Sequence, residues 1–354
     1  MNNSNFIYLR GLRHAENAVF CVENGQKSYY DPQFGFQVPF SSGQQVKRSV
    51  LSELTDILNE EPAPTTFVFD LNKNGALSEG EVLSSCNPMF PDQLLGGWMR
   101  AVKDGKERTC KRRSPLSISA MRPLHPLLSS KTKENITFDR SDRPEAHKVI
   151  VRDSSGNQLN DEQIEALLSG TDRSLLRKWI PDNYRASGLF VYDIAIDMRT
   201  LFCVSTNQFE PEIPKEMIAK LEDNGWIMSK NVFGECLVLP KEERERIIPA
   251  LAKALINWRI TSNQARTFSL METLAVAISD NANTLAAAIR AKLIEDGEKP
   301  KARPIVDETA GADLFVALPC ANYIVTESES ADALQKAEEK LVAMMMAFDY
   351  ENQL

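Results

Sequence analysis

The sequence of 354 residues predicts an α+β fold with long insertions, because segments with strand periodicity and segments with helix periodicity follow one another along it. Apolar and polar residues alternate over residues 188–198, as in a strand buried on one face. Over residues 46–58 the apolar residues recur at helical spacing instead. Residues from about 70 to 181 are rich in glycine, proline and charge, which indicates a long irregular insertion. The order strand, helix, strand, insertion and strand fits a split βαβ sheet with large excursions.

Local signals place the elements in chain order. Asn24-Gly25 predicts a turn after the second strand, Pro62 and Pro64 end the first helix, and Asn160 caps a later one. The predicted strands are residues 6–9, 18–22, 65–69, 188–198, 270–278, 313–318 and 322–326. The predicted helices are residues 43–59, 161–179, 214–224, 241–258, 283–295 and 331–348.

Composition limits the class of protein. Hydrophobic residues make up 43% and charged residues 25%, as in a soluble globular protein, and no apolar run reaches the length of a membrane span. The first six residues are polar, so we expect no signal peptide. Six scattered cysteines without a C-x-x-C pair indicate reduced thiols in a cytoplasm and argue against a zinc site. Three histidines are too few for a histidine-rich metal site.

The charge balance argues against general binding to nucleic acid but leaves room for a local basic surface. The formal net charge is −8, whereas contacts to phosphate dominate nucleic-acid affinity. Between Lys103 and Arg113, however, six cations stand against two anions, and Arg122 follows. Such a run indicates either a basic groove on an acidic body or an ordinary solvated face.

A short motif at the start of the first helix is the most informative stretch. Ser41 and Ser42 are good N-cap residues and Gly43 gives the turn its freedom, yet Lys47 and Arg48 lie in the first turns. The helix dipole disfavours cations at that end by up to about 1 kcal/mol. An anion held by free backbone N–H groups and by the two cations would explain them, and we take it to be phosphate. A solvated basic turn is the alternative.

A second motif matches a calcium loop. Residues Asp70 to Glu81 read D-L-N-K-N-G-A-L-S-E-G-E, which fits the EF-hand pattern. An EF-hand needs a helix before the loop, but residues 65–69 are β-branched and aromatic and follow two prolines. A hairpin that turns at Asn74-Gly75 is the interpretation we favour, and calcium binding is the alternative.

Three stretches together resemble a known family. They are Ser41–Arg48, residues 89–127 (with M-F-P-D-Q-L-L-G-G-W-M and K-R-R-S-P-L-S-I-S-A-M-R-P-L-H-P-L) and residues 261–269 (T-S-N-Q-A-R-T-F-S). In order and content they resemble the DevR family of CRISPR-associated proteins, within the RAMP superfamily. Its members are the guide-RNA-binding backbone subunits of type I Cascade complexes.

The resemblance implies a fold and a set of contacts. The fold would be a modified RRM-like (ferredoxin-like) palm, with fingers at about residues 61–186 and a thumb at about 207–236. Copies would stack into a helical filament along one crRNA and present it to a target DNA strand, beside a guide-end cap subunit and a large subunit. No cofactor, metal, catalysis or membrane is implied. The implied RNA-binding residues are Ser42, Gly43, Gln44, Lys47, Arg48, Lys111, Arg112, Arg113, Arg122, His125, Asn263, Gln264 and Arg266.

A rival interpretation is catalytic. In type III complexes the analogous subunit cleaves target RNA with an acidic residue in the loop before the phosphate-binding helix, and Asp31 lies in such a loop here. Asp31-Pro32 is more simply a turn. His14 or His125 as a general acid is a weaker option, since a lone histidine is more often structural.

Overall fold

The computed structural model describes residues 4–20, 25–101, 108–260, 268–295 and 297–354. The helices are α1 (Gly43–Leu58), α2 (Pro91–Gly96), α3 (Asp161–Leu168), α4 (Lys215–Asp223), α5 (Lys241–Asn257), α6 (Ala282–Ala288) and α7 (Ala333–Met346). The first strands are β1 (Phe6–Ala18), β2 (Ser28–Asp31), β3 (Phe36–Pro39), β4 (Thr65–Val68), β5 (Glu81–Ser84), β6 (Trp98–Arg100), β7 (Cys110–Arg112), β8 (Leu116–Ile118), β9 (Arg122–Pro123) and β10 (Ser129–Asp139). The others are β11 (Arg177–Asp197), β12 (Cys203–Ser205), β13 (Ile227–Asn231), β14 (Gly234–Val238), β15 (Thr273–Ser279), β16 (Ile289–Ile294), β17 (Lys301–Val306), β18 (Asp313–Ala317) and β19 (Glu329–Ser330).

An eight-stranded sheet forms the centre of the fold, which confirms the α+β class. Its order is β10-β11-β1-β15-β18-β19, and β8 and β9 also pair with β11. Strand β1 runs antiparallel to both neighbours, so that Leu9 lies opposite Ile194 on β11 and Ile278 on β15. Strands β11 and β15 are thus parallel to one another with β1 between them, as in a split βαβ unit, but β4, the strand that follows α1, pairs with β5 in a separate sheet. The sheet therefore departs from the predicted order only in the place of β4.

The side chains of β1 alternate between two cores, one on each face of the sheet. On the first face Leu9 packs in a cluster that includes Val50 of α1, Leu251 of α5 and Leu341 of α7. On the second face Leu12 belongs to a separate cluster with residues of β11, β15 and α6. Helices α1, α5 and α7 thus cover one face, since α1 packs on α5 and α5 on α7. The buried area on both faces makes the sheet a rigid support for the loops at its edges.

The chain forms two compact units. One comprises Met1–Ser130 with Ala186–Leu354, and the other is Lys131–Arg185. Strands β10 and β11 extend from the first unit into the second. Within the second unit Arg185 pairs with Glu134 at 2.7 Å, and Asn160 starts α3 with a capping box. The predicted fingers and thumb remain predictions.

Several element predictions are confirmed in place and nearly in length, namely residues 43–59, 65–69, 214–224, 241–258 and 331–348. Two helix predictions run too far. The helix predicted at 161–179 ends at Leu168, because Gly170 adopts a left-handed φ of 79° and β11 begins at Arg177. The helix predicted at 283–295 ends at Ala288, where the chain enters β16. Pairing between distant residues overrides local helix propensity in both places.

Two further predictions are wrong. Residues 322–326 do not form a strand, since Leu318–Asn322 is a 3₁₀ helix and the amides of Tyr323 and Ile324 both bond to the Cys320 carbonyl. The segment from 70 to 181, predicted to be irregular apart from one helix, holds strands β5 to β10, helix α2 and the start of β11. These strands are mostly three to four residues long, too short to show a periodicity.

Candidate nucleic-acid interface

The amino end of α1 is held in place by backbone contacts to a neighbouring segment. Ser42 caps the helix, and its Oγ accepts a hydrogen bond from the Gln45 amide at 3.3 Å. The Ser41 amide donates to the Met121 carbonyl at 2.9 Å. A Cβ on Gly43 would lie 2.7 Å from the Ile118 carbonyl oxygen, so only glycine allows this approach. The predicted helix start is confirmed, and the first turn is fixed against the segment that joins β8 to β9.

A cleft of about 530 Å³ runs along α1 from this first turn. Gln44, Lys47 and Arg48 form one wall, and residues of α2 and of the glycine pair after it form another. Gly97 has a φ of 72° and packs against the Arg112 carbonyl, where a Cβ would come within 2.6 Å. The two glycines of the G-G-W motif thus line the same cleft as the two cations.

The cations of the cleft are not neutralised by neighbouring carboxylates. Neither Lys47 nor Arg48 forms an ion pair with any residue in the described ranges. Burial, together with the nearby charge of Arg112, lowers the pKa of Lys47 from 10.5 to about 8. The cleft also contains Asp92, whose carboxylate accepts the Ala63 amide at 3.1 Å and whose pKa is raised by burial. The cleft therefore favours an incoming anion at its Lys47 end.

The last three residues of the basic run are one interior residue and two surface residues. Arg112 is 3% exposed, its Nη2 donates to the Thr200 carbonyl at 2.8 Å, and its guanidinium lies 5.7 Å from the centre of the Trp98 ring. Lys111 and Arg113 are exposed on either side of it, because successive residues of a strand face opposite ways. Arg112 thus faces the interior and acts on the cleft only through its charge.

The side chains of Arg122 and His125 both form hydrogen bonds with other groups of the protein. The Arg122 guanidinium donates a hydrogen bond to the Asp193 carboxylate at 3.2 Å. Arg10 of β1 donates a hydrogen bond to the same carboxylate at 2.6 Å. His125 accepts the Leu127 amide on Nδ1 at 3.1 Å, and burial lowers its pKa. His125 is therefore a neutral capping residue. Sequence reasoning missed Arg10, since nothing in a single strand shows which carboxylate a distant strand will place beside it.

The third motif falls largely outside the described residues. Asn263, Gln264 and Arg266 all lie within 261–267, and the Lys103 and Lys106 part of the basic run lies within 102–107. Their predicted contacts to RNA remain predictions.

The side chain of Asp31 stabilises a turn. Its Oδ1 accepts the amides of Gln33 and Phe34 at 3.0 and 2.9 Å, and the turn joins β2 to β3 in a hairpin. Its carboxylate thus forms an Asx turn. A Coulombic effect of Asp31 also raises the pKa of His125, against the larger effect of burial.

The calcium-like motif forms the predicted hairpin. Strands β4 and β5 pair antiparallel on either side of the loop, so no helix enters or leaves it. Asn72 Oδ1 accepts the amides of Asn74 and Ala76 at 2.9 and 3.1 Å, and Gly75 takes a φ of 74°. Within the described ranges, no three His, Cys, Asp or Glu residues are grouped closely enough to hold a metal ion.

Comparisons with known proteins give distant structural neighbours. No protein-family model and no curated protein matches the sequence. A chain described as "CRISPR RNA-guided surveillance complex" is 9% identical, with 95% of this chain and 81% of that chain covered and a TM-score of 0.39. A chain described as "CRISPR RNA-guided surveillance complex, pre-nicking" is 8% identical, with 95% and 88% covered and a TM-score of 0.44. Both TM-scores are below 0.5, so neither family membership nor function follows from these neighbours.

The length and apolar character of the helices bear on whether the chain crosses a membrane. Among the described residues, no helix combines the length and apolar character that crossing a membrane would need.

Proposed function

We propose that the chain is a non-catalytic crRNA-binding backbone subunit of a type I CRISPR Cascade complex, of the DevR family, acting in the cytoplasm. The observation that carries the proposal is the pair Lys47 and Arg48, which lie near a helix amino terminus and form no ion pair with the part of the chain that the structure describes. A partly buried cation without a counter-charge is costly, and a phosphate would supply that charge.

The contacts of this site suit a guide of any sequence. Phosphate contacts fix the position of a strand and carry no sequence information, which leaves the base edges free to pair with the target. Gln44 lines the same cleft, the exposed Lys111 and Arg113 would add further phosphate contacts, and Arg112 would act from the interior through its charge. The loop with Asn263, Gln264 and Arg266 would add contacts, as would Arg122 if it exchanged Asp193 for a phosphate.

The proposal also includes the assembly. Copies of the chain would stack along one crRNA with the fingers at 61–186 and a thumb at 207–236, and would bind a cap subunit, a large subunit and the target DNA strand. The palm would be a modified RRM-like sheet, in which β11 lies directly beside β1. The turn contacts of Asp31 are consistent with a subunit that binds RNA without cleaving it.

The test removes the two cations together. We expect Lys47→Ala with Arg48→Ala to lose most of the RNA that co-purifies with the protein, because each neutralised phosphate contributes to a salt-dependent affinity. The measurement is the RNA content after purification, with the dissociation constant for a repeat-derived RNA across a salt series. We expect the salt slope to fall by about 1.4, or about 0.7 for each phosphate that the variant leaves without a cation.

The matched control removes the same charge from another helix. Lys336 and Lys340 on α7 already pair with Asp332 and Asp313, both at 2.9 Å. Surface pairs of this kind contribute at most about 1 kcal/mol, so Lys336→Ala with Lys340→Ala should fold and bind RNA normally. Equal RNA binding by the two double variants would overturn the phosphate site.

A further inference from the structure

Strands β16 and β17 form a two-stranded ribbon with a basic face. The antiparallel register places Lys292 directly opposite Arg303, and Ile294 opposite Lys301. Because side chains alternate along each strand, Arg290, Lys292, Lys301 and Arg303 all lie on the same face. The ribbon is anchored at its base, where Ile289 is buried in the cluster on the second face of the sheet.

The cations of this face lie close enough to repel one another across and along the two strands. Like charges directly opposite one another on neighbouring strands are destabilising. Lys292, Lys301 and Arg303 are exposed and form no ion pair with any residue that the structure describes, whereas Arg290 pairs with Asp307 at 2.9 Å. The nearby charges at the tip are Glu295, Glu298 and Lys299, with Asp296 outside the described residues. In a chain of net charge −8, this concentration of cations is complementary to a polyanion.

The shape and chemistry of the ribbon favour a duplex over a single strand. Six residues of strand extend about 20 Å, and cations two residues apart on one strand are spaced by roughly 6.6 Å. The basic face carries aliphatic Ile294 and Ile305 beside the cations and no aromatic residue on which an unpaired base could stack. A duplex needs no such platform, since its bases are already stacked and its phosphates lie outside.

We propose that the basic face of the β16–β17 ribbon binds the phosphate backbone of a nucleic-acid duplex. This surface is separate from the cleft at α1. Ile289 packs with Leu12 on the second face of the sheet, whereas α1 packs with Leu9 on the first. The proposal does not depend on guide binding by α1, and the two surfaces can be tested independently.

The test uses the full chain with its co-purified RNA and a mixed-sequence DNA duplex of about 30 base pairs. We expect Lys292→Ala with Arg303→Ala to weaken duplex binding on the order of tenfold at low salt and to reduce the salt slope by about 1.8, since two phosphates are then no longer neutralised. Co-purified RNA should remain. The variant Lys292→Arg with Arg303→Lys should bind the duplex like the unmodified chain, because the charges remain.

The outcomes separate the two surfaces. Unchanged duplex affinity and salt slope in the ribbon variant would overturn this inference, and would leave an acidic protein surface as the partner of the ribbon. Loss of RNA from the ribbon variant would also overturn it, because the ribbon would then serve the guide. The α7 control, Lys336→Ala with Lys340→Ala, removes the same charge and should leave duplex binding unchanged.

Discussion

At the scale of single residues, burial separates cations that look alike in the sequence. The motifs that resemble the DevR family contain the basic residues Lys47, Arg48 and Arg112. Of these, Arg48 is exposed, Lys47 is partly buried and Arg112 is enclosed. Arg112 gives its hydrogen bonds to backbone carbonyls, so its charge is fixed behind Lys47. An arginine at this position keeps its charge at any pH of interest, whereas a lysine in the same field can lose it.

The lowered pKa of Lys47 predicts a pH dependence of RNA binding. The folded protein holds this pKa at about 8, below the ordinary value of 10.5. Between those values the unfolded chain binds the proton more tightly, so the contribution of Lys47 to stability rises with pH there. RNA affinity should move the other way and fall as pH rises from 7 to 9, because the free protein loses the charge that attracts phosphate. Dissociation constants measured at constant ionic strength would show this.

The variant Lys47→Arg is the control for that measurement. Its guanidinium stays charged throughout, so we expect its RNA affinity to change much less between pH 7 and 9. Identical pH profiles for the variant and the unmodified chain would show that Lys47 does not carry the effect.

At the scale of elements, local signals predict α1 well and the β16–β17 ribbon poorly. Helical spacing, a serine cap and two prolines all lie within or beside residues 43–58, and they specify both ends of α1. The same kind of signal predicts a helix over residues 289–294, because a short run with apolar residues fits both the helical period and the strand period. What decides their state is the pairing with 301–306, which a single local window does not reveal.

The candidate site shows the same division. The positions of Ser42, Gly43, Lys47 and Arg48 can be predicted because they are adjacent on one element, whose start fixes them. The burial of Arg112 and the capping role of His125 depend on contacts to other segments and turns, such as the Thr200 carbonyl and the Leu127 amide. Sequence patterns indicate where a residue lies along a strand, but the packing of the whole unit decides which face is enclosed.

The β4–β5 hairpin predicts the response to calcium. Asn72 already uses its side-chain oxygen in the turn, and the strands on either side keep the loop out of the helix-loop-helix geometry. We expect millimolar calcium to leave the melting temperature unchanged relative to EDTA. A ligand that bound only the folded state would raise it with concentration. A saturable rise with calcium, absent in Asp70→Ala, would contradict this expectation.

At the scale of the whole molecule, an acidic body carries two basic surfaces on opposite faces of one sheet. The cleft lies at the start of α1, and α1 packs on the first face of the sheet. The β16–β17 ribbon is anchored on the second face. The net charge of −8 opposes binding to arbitrary nucleic acid, so affinity depends on the few positions where cations are concentrated. Under the two proposals, the α1 cleft would hold one strand and the ribbon would bind a second nucleic acid.

Assembly of the chain on RNA should depend on the length of the RNA. If copies of the chain are aligned by a shared strand, the strand supplies the effective concentration that brings them together, so the size of the particle should follow the length of the RNA. Protein co-expressed with a guide RNA should elute as a large species with a high ratio of absorbance at 260 to 280 nm. Shortening the RNA should shift elution in steps, each equal to one copy of the chain.

The double variant Lys47→Ala with Arg48→Ala separates RNA-driven assembly from contacts between copies alone. Without the phosphate site, the copies lose the strand that aligns them, so we expect the variant to elute as a small species without nucleic acid. An assembly of unchanged size, formed by this variant or by the unmodified chain after nuclease digestion, would show that protein contacts suffice. The role of the α1 cleft would then be limited to placing the guide on a preformed scaffold.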